Sequence, residues 1–167
     1  MKDILIRPRQ AWQTLVALLA ALPLLAWAAA TATVTVKVTV VAPPPCVIND
    51  DRPIDVEFGD VMTTRVDGSN YKMPVNYTLS CPGAPSNAMK LQVKGSGAAF
   101  DATVLQTNKT GLGIELRQGD SKLAVNDWLS FTFPNKPELW AVPVKQTGAT
   151  LTGGEFSAGA TMEVAYQ

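Results

Sequence analysis

Between Thr31 and Val41 the chain reads TATVTVKVTVV, in which Val34, Val36, Val38 and Val40 alternate with Thr33, Thr35, Lys37 and Thr39. A period of two puts the valines on one face of a β-strand and the polar residues on the other. The next residues include Pro43, Pro44 and Pro45. They carry no backbone N–H and cannot form a tight hairpin, so the strand has no neighbour waiting a few residues on. Beyond Cys46 the same period recurs in short runs. Ile54–Phe58 alternates up to Gly59-Asp60, and Asp67-Gly68-Ser69-Asn70 is a strong turn cluster. Val75–Leu79 alternates up to Cys81, Met89–Val93 is closed by Gly95-Ser96-Gly97, and Gly113–Arg117 and Leu129–Phe133 continue the theme. Leu139–Val144 reads as an edge strand, because Pro143 would interrupt a central one, and a last strand runs from about Phe156 to Tyr166. About seven short strands at turn-marked intervals, with no convincing helix, predict a β-sandwich of immunoglobulin-like size. The absence of a tryptophan between Cys46 and Cys81 separates it from antibody domains. Trp128 and Trp140 both sit in strand-like runs and are expected in the core.

What precedes the first strand has a different character. MKDILIRPRQ carries Lys2, Arg7 and Arg9, Ala11 to Trp27 is mostly leucine and alanine, and AWAAATA follows. A basic start, a short apolar run and small residues at its end describe a secretory signal peptide over residues 1–30, cleaved after Ala30. Gln13, Thr14 and Pro23 leave too short an apolar run for a membrane anchor. Without Lys2, Arg7, Arg9 and Asp3, the 14 basic and 14 acidic residues become 11 and 13, a net charge near −2. That balance gives no electrostatic footprint for nucleic acid. The two cysteines, Cys46 and Cys81, both lie in the exported part. An even count in an oxidising compartment reads as one disulfide. A metal-binding thiol pair is the weaker alternative, since there is no histidine to complete a site.

The missing histidine also removes Ser-His and Cys-His nucleophilic pairs. Asp50, Asp51, Asp55, Glu57 and Asp60 lack the spacing of a calcium loop and read as a solvated turn and strand face. No pair of carboxylates is marked out for glycoside cleavage, and Gly111-Leu112-Gly113 is too short for a phosphate loop. Asn76-Tyr77-Thr78 and Asn108-Lys109-Thr110 fit the glycosylation acceptor pattern by chance. No enzyme activity, cofactor or metal is expected.

The C-terminus, GEFSAGATMEVAYQ, is more specific. Counting back from Gln167, Tyr166 is penultimate, Val164, Met162 and Ala160 alternate before it, Phe156 keeps the same parity, and Gly154 is fourteenth from the end. A penultimate aromatic, alternating apolar residues and a glycine at position fourteen resemble the C-terminal signature of pilins assembled by the bacterial chaperone–usher pathway. A C-terminal strand that only filled its own core would explain the alternation but not the aromatic and the glycine. A leader, an alternating extension, a proline-rich step into the first cysteine and a second cysteine about 35 residues later are similar to the same family, of the type 1 and P pilus kind. The resemblance therefore covers the whole mature chain.

That resemblance implies an all-β, incomplete immunoglobulin-like sandwich: a six-stranded pilin domain over residues 46–167, lacking the last strand. Residues 31–45 would form an N-terminal donor-strand extension. Val34, Val36, Val38, Val40 and Ala42 would fill the open groove of a neighbouring pilin subunit, while Gly154, Phe156, Ala160, Met162, Val164, Tyr166 and Gln167 would serve a periplasmic pilus chaperone and the groove itself. An outer-membrane usher would be the exit to a cell-surface fimbrium, and a host glycan would be reached only through an adhesin. The length fits a single-domain, minor subunit. Its alternatives are a carbohydrate-binding adhesin domain at the tip and a terminator subunit that anchors the fibre. One departure stands out: Val38 occupies the place where such extensions normally carry a glycine.

Overall fold

In a computed structural model, residues 46–167 are described, and all regular structure among them is β apart from two 3₁₀ turns. The leader 1–30 and the extension 31–45, with Val34, Val36, Val38, Val40 and Ala42, lie outside the described residues. The strands are β1 (Val47–Ile48), β2 (Met73–Val75), β3 (Leu79–Ser80), β4 (Ala88–Gly95), β5 (Gly97–Ala98) and β6 (Asp101–Gln106). They continue with β7 (Leu112–Gln118), β8 (Ser121–Leu123), β9 (Trp128–Thr132), β10 (Leu139–Lys145) and β11 (Ala160–Tyr166). One sheet runs β2-β10-β7-β6-β5, with β8 also on β7; another runs β11-β4-β9, and β1 pairs with β3 as a small ribbon. Every ladder is antiparallel.

The period-two pattern decides which face is buried. Along β4, Met89, Leu91 and Val93 are buried, whereas Lys94 on the other face pairs with Glu163 of β11 at 3.1 Å. Leu105, Ile114, Leu116, Leu139 and Ala141 from the β2-β10-β7-β6-β5 sheet meet Leu91 and Val93 in one apolar cluster. Tyr77 joins it with its ring buried and its hydroxyl donating to the Pro137 carbonyl at 2.6 Å. Burial of the neutral phenol pushes its pKa up to about 12. In the β5–β6 ladder the register shifts between Gly97 and Ala98, and at Gly97 a Cβ would stand 2.5 Å from the Ala102 carbonyl oxygen. Only a residue without a side chain fits that approach. The turn at Asp67 forms as expected, its carboxylate accepting from the amides of Ser69 at 2.9 Å and Asn70 at 2.8 Å. Those amides hold the Asp67 carboxyl below its ordinary pKa.

Several expectations are corrected. β10 is not an edge strand over its first half, since Leu139–Ala141 pair with both β2 and β7. The short β2 ladder stops there, so Pro143 pairs only with Ile114 of β7, and its missing N–H costs no second neighbour. Val75–Leu79 is not one strand; it divides into β2 and β3 around the buried Tyr77. Trp128 is not in the core but 43% exposed on edge strand β9, with Lys90 Nζ 4.7 Å from its ring centroid. Trp128 stands opposite Gln92 on the outward face of the sheet, so strand parity overrides its apolar character. Trp140 is half-buried beneath Lys72, at 5.0 Å. The last strand begins at Ala160, not Phe156.

Candidate strand-accepting groove

The Cys46–Cys81 disulfide forms, with the Cα atoms 4.3 Å apart, and fastens the start of the domain beside the β1–β3 ribbon. After β1, Asn49, Asp50 and Asp51 take three successive left-handed conformations, at φ 51°, 53° and 58°. Asparagine and aspartate tolerate that region better than other residues. The Asn49 side-chain amide secures the bend by donating to the carbonyls of Pro53 at 2.8 Å and Arg52 at 3.1 Å. The chain then runs out along Ile54–Phe58. Burial alternates as the sequence suggests: Ile54, Val56 and Phe58 are half-buried against the core, while Asp55 and Glu57 are exposed. Yet no ladder holds this segment among the described residues. It has the side-chain pattern of a strand without a strand's partner.

Opposite it lies β11, the edge of its own sheet. The register pairs Met162 with Val93, Val164 with Leu91 and Tyr166 with Met89, so the alternating C-terminal residues all share the buried face of β4. β11 has one strand neighbour, β4, and its other edge is open among the described residues. Between the two walls runs a groove of about 600 Å³. Ile54, Val56 and Phe58 line one side, and Phe156, Ala160 and Met162 the other. Core residues Val93, Leu105, Ile114, Leu116, Leu139 and Ala141 form its floor. The groove thus reaches down to the domain's own core, covered there only by the half-buried Ile54, Val56, Phe58, Phe156 and Met162. A cavity of about 620 Å³ continues it past Phe58 and Phe156, whose rings are 5.9 Å apart, towards Gly154, Leu112 and Leu151.

The residues singled out at the C-terminus divide among these places. Phe156, Ala160 and Met162 line the main groove, and Phe156 and Gly154 the continuation. Gly154 has φ 104°, and a Cβ there would stand 3.0 Å from Lys109 Nζ, which donates to the Gly153 carbonyl at 2.9 Å. A side chain at position 154 would be strained by the backbone and pressed on that lysine. Ser157 is anchored by donating to Asn108 Oδ1 at 2.9 Å while its carbonyl accepts from the Asn108 amide at 3.1 Å. Val164 packs on the core outside the groove lining. The Tyr166 hydroxyl reaches the disulfide, 3.5 Å from Cys46 Sγ. Gln167 closes the strand with its amide on the Ala88 carbonyl at 2.9 Å and its side chain on Ser130 Oγ. Reading the sequence missed the opposite wall as a site. The signal was the alternation of Ile54, Val56 and Phe58, the same pattern taken there for an ordinary paired strand.

A sandwich whose core is open along one edge, flanked by an unpaired extended wall and an edge strand, defines an incomplete immunoglobulin-like domain of the pilin class. Comparison with known proteins agrees. Residues 32–167 match the Fimbrial protein family. The chain is 45% identical over 136 residues to the fimbrial-like protein YfcR of Escherichia coli K12, covering 78% of both chains. It is 29% identical over 140 residues to the fimbrial adapter PapF of Escherichia coli, covering 74% of this chain and 81% of that one. Among solved structures, the P pilus adaptor subunit PapF superposes with a TM-score of 0.58 at 28% identity, over 75% of this chain and 98% of that one. The P pilus rod subunit PapA gives 0.60 at 26% identity, over 74% and 99%. The chain belongs to the fimbrial protein family and is a structural subunit of a cell-surface fimbria.

Proposed function

We propose that the subunit is exported with loss of residues 1–30, captured by a periplasmic chaperone, passed to an outer-membrane usher and joined to its neighbours by strand addition. Extended peptides that complete an open sheet are an established mode of recognition, and chaperone–pilin complementation is one of its known examples. The observation that carries the reading is the groove between Ile54–Phe58 and β11, with core residues as its floor. The segment suited to such a groove is the extension, and the family match begins inside it, at residue 32. Val34, Val36, Val38 and Val40 are worth about 1.5–3 kcal/mol each when fully buried, or roughly 6–12 kcal/mol together before the cost of ordering the strand. That magnitude suits a long-lived joint without a covalent bond. The similarity to the fimbrial adapter PapF supports a minor, linking position.

The experiment is co-purification of subunit with chaperone, followed by detection of the subunit in sheared fibres. Val164→Asp or Tyr166→Ala should abolish chaperone capture, because β11 holds those residues against Leu91 and Met89. Val36→Asp or Val38→Asp should leave capture intact and block incorporation, since an unpaired carboxylate would enter an apolar groove. Loss of chaperone binding in the Val38→Asp variant would show that the extension serves its own domain and would end the strand-addition reading.

A further inference from the structure

The rim of the groove is as patterned as its floor. With Ile54, Val56 and Phe58 turned inward, Asp55 and Glu57 stand exposed on the outward face of the same wall. Asp60 and Glu155 edge the continuing cavity, and both are exposed. None of these four carboxylates has an ion-pair partner among the described residues. Of the two cations lining these cavities among the described residues, Arg52 pairs with Asp50 at 3.0 Å, and Lys109 lies on the continuing cavity, donating to the Gly153 carbonyl at 2.9 Å and keeping its charge there. Along the main groove, Asp55 and Glu57 therefore stand over an apolar floor with no ion-pair partner among the described residues.

The chain also carries a segment with the converse pattern. In TATVTVKVTVVA the only charge is Lys37, and it has the opposite parity to the four valines. If the valines enter the groove, Lys37 faces out, on the same side as Asp55 and Glu57. Directly opposed residues on paired strands have Cβ atoms about 4.5–5.5 Å apart, within reach of an ion pair. Asp55 and Glu57 are two residues apart, so a register shift of two, which keeps the valines inward, still puts Lys37 beside an acid. We propose that the groove's favoured occupant is a neighbouring subunit's donor strand that carries, as Thr31–Ala42 does at Lys37, a lone outward cation, selected over uncharged apolar donors by Asp55 and Glu57. This rests on the strand-addition reading above and adds to it a basis for choosing a partner.

The test uses the full subunit, refolded from denaturant with synthetic peptides of residues 31–45 as probes, and reads the rate of peptide capture. At ~50 mM salt the Debye length is about 14 Å, and at ~500 mM about 4 Å. The wild-type peptide should be captured about fivefold faster than its Lys37→Glu variant at low salt, and the gap should close at high salt. A subunit carrying Asp55→Lys and Glu57→Lys should reverse the order, capturing the Lys37→Glu peptide faster. If Lys37→Glu is captured as fast as wild type at low salt while a Val36→Asp peptide is refused, the charge selection is wrong and strand addition survives. If the Val36→Asp peptide is captured as well as wild type, or the wild-type peptide is not captured, strand addition itself fails and the selection falls with it.

Discussion

Phe58 and Phe156 come from opposite walls of the groove, and their ring centroids are 5.9 Å apart at an interplanar angle of 34°. Both rings line the main groove and its continuation, so the pair stands where the two meet. A strand inserted between two others separates them by two inter-strand spacings, about 9.5 Å in all. Its inward side chains would need the space the two rings now share. Insertion must therefore part the pair or turn the rings aside. An aromatic pair contributes about 0.5–1.5 kcal/mol beyond its buried area, and that contribution belongs to the empty groove alone. Phe58→Leu keeps the wall apolar and removes the ring pairing. It should therefore speed capture of a peptide of residues 31–45 by about two- to twelvefold, the same energies expressed as rates. The assay is the time course of fluorescence anisotropy of a labelled peptide, with refolded subunit in excess. The stability of the filled complex should change by less than about 1.5 kcal/mol, as for other volume-conserving apolar exchanges. An unchanged or slower capture rate with the filled complex intact would refute the idea that the rings oppose entry.

Further tests concern the domain itself. Replacing Cys46 and Cys81 with serine removes a crosslink spanning 35 residues, worth about 4 kcal/mol in the chain-entropy account. Periplasmic yield should fall sharply, and thiol titration of the native exported protein should find no free cysteine. Tyr77→Phe loses the 2.6 Å hydrogen bond to Pro137 and should cost about 1 kcal/mol. It should also change the alkaline limb of the unfolding profile. Because burial raises the Tyr77 pKa from 10.0 to about 12, the folded state keeps a proton that the unfolded chain releases. The neutral phenol's contribution is complete below pH 10 and is lost as the pH rises towards 12. A peptide-complemented Tyr77→Phe subunit should lose less stability over that interval than wild type, measured by denaturant midpoint against pH; equal losses would contradict the assignment.

Much of this molecule was legible in the order of its residues because strand chemistry is local. Parity alone put Met162, Val164 and Tyr166 on one face, and β11 lays that face against Val93, Leu91 and Met89. The compartment implied by the leader, together with two cysteines, was enough to pair Cys46 with Cys81. Parity says which residues share a face, but not what lies beyond the edge of a strand. Pro143 read as a sign of an edge, yet β10 is internal until the β2 ladder ends at Ala141. Trp128 read as core because it lies in a strand-like run, yet its place opposite Gln92, on the face of β4 that carries Lys90 and Lys94, sets it outward. Ile54–Phe58 read as an ordinary strand, and only the packed sheets show that its inward side chains meet the core while its backbone has no ladder. The side-chain pattern was written in the sequence, because alternation is a property of the strand alone. The gap beside it was decided by tertiary structure, because an edge exists only where the remaining strands leave one.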